Sequence, residues 1–144
     1  MNAMQRLSSA RRMRGVTLIE LMIVVVVIGI LVAIAYPGYQ GQIQRTRRAD
    51  GKATMLETAQ RLERCFTRYN SYADGGCAIA ASLVGGVTSP EGWYVITNGN
   101  PGASTYTLVG TPQGEQVNDA SCGVLSLTHR SERNAAGPQG QACW

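Results

Sequence analysis

Glu20 stands inside an apolar run, with Leu18 and Ile19 before it and Leu21, Met22, Ile23 and Val24 after it. A charged side chain at the centre of a membrane-crossing helix costs roughly 2.5–3.5 kcal/mol even on mild insertion scales. Its presence there asks for a cationic partner. Cleavage of the chain after Gly15 would supply one, because Val16 would then carry a free α-amine one helical turn ahead of Glu20. In low dielectric such a pair attracts strongly, and either member left alone is costly. The chemistry on offer is thus cleavage performed on this chain, followed by ion pairing.

Cys65, Cys77, Cys122 and Cys143 all follow the apolar run, and none has the Cys-x-x-Cys spacing of a zinc or redox site. An even number in a small exported domain reads as two disulfides formed in an oxidising compartment. Of three possible pairings, Cys65–Cys77 with Cys122–Cys143 is favoured because each closes a short local loop. Loop-closure entropy gives each about 3 kcal/mol, less any strain. Glu115 and Asp119 make too thin an acidic cluster for calcium. His129 is the only histidine and has no recognisable nucleophile or ligand set around it, so it reads as a surface loop residue. No enzymatic activity, cofactor or metal is expected.

The elements that must position these residues follow from charge and periodicity. Arg6, Arg11, Arg12 and Arg14 are four of thirteen basic residues, and residues 1–15 contain no acid. The remainder holds nine bases and nine acids, so the net charge of +4 belongs to the leader and says little about ligands. The apolar run then extends to Ala35, and a span of about twenty residues crosses the hydrocarbon core as a helix. In lipid the backbone must satisfy itself, so its many β-branched residues still form a helix. A secretory signal would have a shorter run with the small-residue cut after it. The basic flank puts the N-terminus in the cytoplasm and the rest outside.

The helical pattern resumes beyond Tyr39, where Met55, Ala59, Leu62, Phe66 and Tyr69 form one stripe. Arg45, Arg48 and Lys52 recur on a polar face, and Glu57 can pair with Arg61. One helix over 17–69 is expected, roughly 80 Å long at 1.5 Å per residue. Pro37, Gly38 and Gly41 predict a kink or weak point over 33–41. Residues 70–90 read as a connecting loop. Strands are expected at 92–97, 105–110 and 123–128, with 98–102 as a hairpin loop. The tail 130–144 is read as irregular and pinned through Cys143 to Cys122. A small antiparallel sheet on the helix stripe gives an α+β fold.

Arg14-Gly15-Val16-Thr17-Leu18-Ile19-Glu20-Leu21-Met22-Ile23-Val24 resembles the class III signal of type IV pilins. The resemblance implies cleavage between Gly15 and Val16 by a membrane-embedded aspartyl peptidase, which also methylates the Val16 amine. It implies the type IV pilin fold, and registry between subunits through Glu20. Val16 replaces the Phe usual at the first mature position, which bears on methylation rather than cleavage. In the head, Tyr106-Thr107-Leu108, Thr111-Pro112-Gln113-Gly114, Cys122-Gly123-Val124-Leu125-Ser126-Leu127 and Cys143-Trp144 are similar to PilE-type minor pilins. So are Arg61-Leu62-Glu63-Arg64-Cys65-Phe66 and Asn70-Ser71-Tyr72.

The implied organisation is a leader over 1–15, a transmembrane assembly helix over 16–36, an amphipathic half over 37–69 and a head over 70–144. The implied role is a minor pilin in a priming or tip complex, supporting pilus assembly, twitching motility and adhesion. Implied partners are other minor pilins, the major pilin, the peptidase-methyltransferase, the inner membrane before assembly, and a tip adhesin. The location is the inner membrane with a periplasmic head, then the extracellular pilus of a Gram-negative bacterium. A type II secretion pseudopilin is the structural alternative. DNA capture through Arg45, Arg47, Arg48 and Lys52, or through Arg61, Arg64 and Arg68, is set below it, because solvated helix faces commonly carry such bases. Nucleic acid is therefore not an expected partner. The bland reading of Glu20 is an acid favoured by the helix macrodipole.

Overall fold

In the computed structural model residues 15–99 and 101–144 are described. Apart from Gly15, the leader lies outside the described residues. Helix α1 runs Leu18–Tyr69, within one residue of the expected start. It is continuous through Pro37, so the missing donor there does not end the helix. The chain divides after Tyr39 into two compact units. In the first, Leu18–Tyr36 is long and apolar enough to cross a membrane, and none of it is buried.

The second unit carries a five-stranded antiparallel sheet in the order β1-β2-β3-β4-β5. Its strands are β1 (Val87–Thr88), β2 (Tyr94–Asn98), β3 (Thr107–Pro112), β4 (Leu125–Thr128) and β5 (Arg133–Ala135). The register aligns Ile96 with Gly110, Leu108 with Leu127, and Leu125 with Ala135. Each of these residues is buried, as period-two alternation requires when one face is inward. Against them pack Met55 and Leu62 of α1, both fully buried. Helix and sheet come close because two glycines leave room. A Cβ at Gly51 would lie 2.6 Å from the Tyr94 ring, and one at Gly110 would lie 2.9 Å from Met55 Sδ.

Several expectations need correction. Residues 70–90 are not simply a loop: α2 spans Ala78–Gly85 and β1 follows it. Ile79 and Leu83, four apart, bury one face of α2 against the core. The strands expected from 92 and 123 begin two residues later, after Gly92 and Gly123 turn the chain at positive φ. The tail contains β5 and a 3₁₀ turn at Gly140–Cys143. The helix stripe ends early, since Tyr69 is exposed with Arg68 lying over its ring. Arg48, assigned to a polar face, is buried.

Disulfides join Cys65 to Cys77 and Cys122 to Cys143, at separations of 12 and 21 residues. The first fastens α2 to α1, and the second fastens the tail to the loop before β4. Replacing Leu62 by Ala should cost about 2–5 kcal/mol, because the surrounding helix and sheet relax only partly. Urea unfolding of the whole chain in detergent, followed by tryptophan fluorescence, measures this. Tyr69→Ala should cost much less; equal losses would refute the assigned core.

Candidate functional site

At the N-terminal end, Gly15, Val16 and Thr17 are exposed and precede the first helical residue. Among the described residues nothing lies within 4 Å of a Cβ built at Gly15. Val16 therefore lies ahead of the first turn rather than within it. The amide of Glu20 donates to Thr17 Oγ1 at 3.2 Å, and the amide of Leu21 donates to the Thr17 carbonyl. Thr17 thus caps the helix, with Glu20 at the third helical position, the Thr-x-x-Glu spacing of a capping box. The acid also meets the positive end of the macrodipole. None of this consumes the carboxylate's affinity for an external cation.

In the head, Arg48 Nε lies 3.1 Å from Asp119 Oδ2. Asp119 is 1% exposed and Gln116 is fully buried. Gln116 Nε2 donates to Asp119 Oδ2 at 3.0 Å and to the Tyr94 hydroxyl at 3.2 Å. Arg48 Nη1 also donates to Cys122 Sγ. A charge on α1 thereby holds the loop that leads into the Cys122–Cys143 disulfide. Glu115 is exposed and stays out of this network, so Glu115 and Asp119 do not form an acidic cluster. Sequence reasoning placed Arg48 on a polar face and missed its pairing, with Gln116 and Tyr94, because 71 residues separate the two charges.

A second cluster centres on Glu63. Its Oε1 accepts from the Tyr106 hydroxyl at 3.0 Å and its Oε2 from Tyr72 at 3.0 Å. The Tyr72 and Tyr106 rings meet edge-on at 4.9 Å, and His129 lies 6.2 Å beyond Tyr106. His129 packs on an aromatic ring and lines a cleft with Glu63. Burial pushes both hydroxyls above their ordinary value of 10.0, and the bond to Glu63 adds to the rise. The remaining bases divide sharply. Arg61 is taken by Glu57 at 2.6 Å, and Arg47 stacks over Trp93 at 3.8 Å. Lys52 Nζ donates to the Cys143 carbonyl at 3.2 Å, and Arg133 lies 5.7 Å from the Trp144 ring. Among the described residues no group of three or more His, Cys, Asp or Glu could hold a metal ion.

The prokaryotic N-terminal methylation motif matches residues 10–36, which include Gly15, Val16 and Glu20. A family profile described as "Type IV minor pilin ComP, DNA uptake sequence receptor" matches residues 37–126. The chain belongs to the type IV pilin family. A fimbrial protein of Moraxella nonliquefaciens is 40% identical over 103 residues, covering 67% of this pilin and 62% of the relative. Fimbrial protein EcpC of Eikenella corrodens is 31% identical over 129 residues, covering 89% of this pilin and 70% of that one. A Pseudomonas aeruginosa fimbrial protein is 56% identical over 48 residues, or 32% of this chain and 31% of the relative. The pilin thus spans less than two thirds of the first of these and about a third of the last.

Two outcomes test the head of this pilin. Asp119→Ala leaves a buried guanidinium unpaired and should cost about 3–5 kcal/mol in chemical unfolding. The pair Arg48→Met with Asp119→Leu should recover much of that loss; no recovery would remove the charge argument. The tyrosines set an alkaline limit. Unfolded tyrosines ionise near 10 while Tyr72 and Tyr106 keep their protons, so stability should fall as pH rises past 10. Lys52, whose pKa burial lowers, acts with the opposite sign. Thermal melts of wild type against Tyr106→Phe isolate the tyrosine contribution, and the variant should show the shallower alkaline loss.

Proposed function

We propose that this pilin is a minor subunit of a type IV pilus, made as a precursor and matured by cleavage between Gly15 and Val16. The observation that carries this reading is the pairing of the methylation motif over 10–36 with the minor-pilin profile over 37–126. Prepilin peptidase removes residues 1–15 and methylates Val16. Residues 16–36 anchor the chain in the inner membrane of a Gram-negative cell, with 37–69 and the head over 70–144 in the periplasm. Extraction moves the apolar helix from lipid into a bundle of neighbouring helices, so its environment stays apolar. A priming or tip complex with other minor pilins, the major pilin and an adhesin then supports assembly, twitching motility and adhesion, as in PilE-type subunits. The fimbrial names of the relatives favour a pilus over a secretion pseudopilus.

Glu20 sets register. Facing the Val16 ammonium of a neighbour, it forms a pair in low dielectric that a misplaced subunit would break. The capping geometry at Thr17 leaves the carboxylate available for this. Bending at Pro37 would help the helix conform to its neighbours. Glu20→Ala should reduce recovery in sheared pili at least tenfold while cellular protein and disulfides stay unchanged. Undiminished incorporation would defeat the registry role.

A second reading is DNA capture, favoured by the description of the matched profile as a DNA uptake sequence receptor. It revises the expectation that nucleic acid is not a partner. Salt-sensitive DNA binding by the whole chain tests it.

A further inference from the structure

Three clefts join along one side of the head. The first, about 260 Å³, is lined by Arg45, Arg48, Lys52 and Trp144. The second, about 480 Å³, shares Trp144 with it and adds Arg133, Glu132 and Gln141. The third, about 300 Å³, shares Ser131 and Arg133 and reaches Gln60 and Glu63. Positions 45, 48, 52, 56, 60 and 63 recur at three- and four-residue steps, so they share one helix face. That face spans about 27 Å at 1.5 Å per residue. The result is a groove between α1 and the segment 131–144.

Charge is unevenly spread along it. Arg48 is answered by Asp119, and among the described residues no acid lines the first cleft to answer Arg45 or Lys52. Lys52 has its pKa lowered by burial and then by the nearby charges of Arg48 and Arg133. Glu132 is held by the Thr128 hydroxyl, and Glu63 at the far end is occupied by two tyrosine hydroxyls. Trp144 is fixed by donation from its Nε1 to the Asn134 carbonyl at 2.8 Å, yet its ring stays half-buried at the groove. Cations, a fixed indole and amide side chains along one track suit a phosphodiester strand better than an acidic protein face.

We propose that this groove receives a nucleic-acid strand, with Arg45, Lys52 and Arg133 holding its phosphates and Trp144 offering a stacking surface. The proposal rests on the DNA-capture reading and assigns it a place. The bases at Arg61, Arg64 and Arg68 take no part.

The test is fluorescence anisotropy of the full chain in detergent with labelled single- and double-stranded oligonucleotides, from about 50 to 200 mM salt. Lys52→Gln with Arg133→Gln should weaken binding at least about tenfold and lower the log–log salt slope by about 2. Lys52→Arg should bind as wild type, and Arg61→Gln with Arg64→Gln should change affinity less than about twofold. Arg45→Gln, at an exposed position, gives the same direction should the Lys52 variant fail to fold. If wild type binds but the Arg61 and Arg64 pair weakens it equally, the groove is wrong and capture stands. If wild type shows no salt-sensitive binding, both readings fall. Normal DNA binding by the Lys52 and Arg133 pair, with loss of entry into pili, would make the groove a seat for a neighbouring subunit and overturn the proposal.

Discussion

A guanidinium removed from water needs an anion, and in this head Arg48 has Asp119. Taking both charges out of solvent is expensive, and their attraction offsets the cost only where the other polar atoms are also satisfied. Gln116 supplies part of that satisfaction by bridging Asp119 to the Tyr94 hydroxyl. The consequence is positional rather than simply stabilising. One residue on α1 fixes a loop 71 residues later, and that loop carries Cys122 into its bond with Cys143. The tail, β5 and Trp144 are located through this connection.

The same region shows why the helix and sheet can approach so closely. Tyr94 belongs both to the polar network, through its hydroxyl, and to the core, through its ring against Gly51. A residue larger than glycine at position 51 would push β2 away from α1, and with it the hydroxyl that Gln116 needs. Packing and charge pairing are thus coupled at one side chain. By contrast, the Glu57–Arg61 pair is more than half exposed and contributes at most about a few tenths of a kcal/mol.

The two units follow different physics. The first exposes the 19-residue stretch Leu18–Tyr36, apolar but for Glu20 and a glycine, and none of it is buried among the described residues, so lipid or other helices must cover it. The second buries a core between one helix face and one sheet face, reinforced by two disulfides. The second unit presents a surface of its own. That surface is asymmetric, with Arg45, Lys52 and Arg133 gathered beside Trp144, whereas Arg61 is paired with Glu57 and Arg47 is stacked on Trp93.

The apolar run, its single carboxylate and the long helix were legible from sequence because each is a local signal. Composition, spacing and periodicity act within a few turns. The central strands were legible for the same reason, as alternation in Tyr106-Thr107-Leu108-Val109 and Val124-Leu125-Ser126-Leu127. The strands expected from 92 and 123 start later because glycines at positive φ lengthen the turns before them, and backbone conformation leaves little trace in a hydropathy pattern; β3, expected from 105, also begins two residues late, at Thr107. α2 was missed because eight small and apolar residues have too weak a period to stand out from a loop; burial of Ile79 and Leu83 beside a disulfide makes it a helix. Arg48 looked like any solvated base three residues from Arg45. Only the folded chain brings Asp119 beside it and turns Lys52 and Arg133 toward one groove, because the strength of a charge depends on the dielectric and partners that tertiary structure provides.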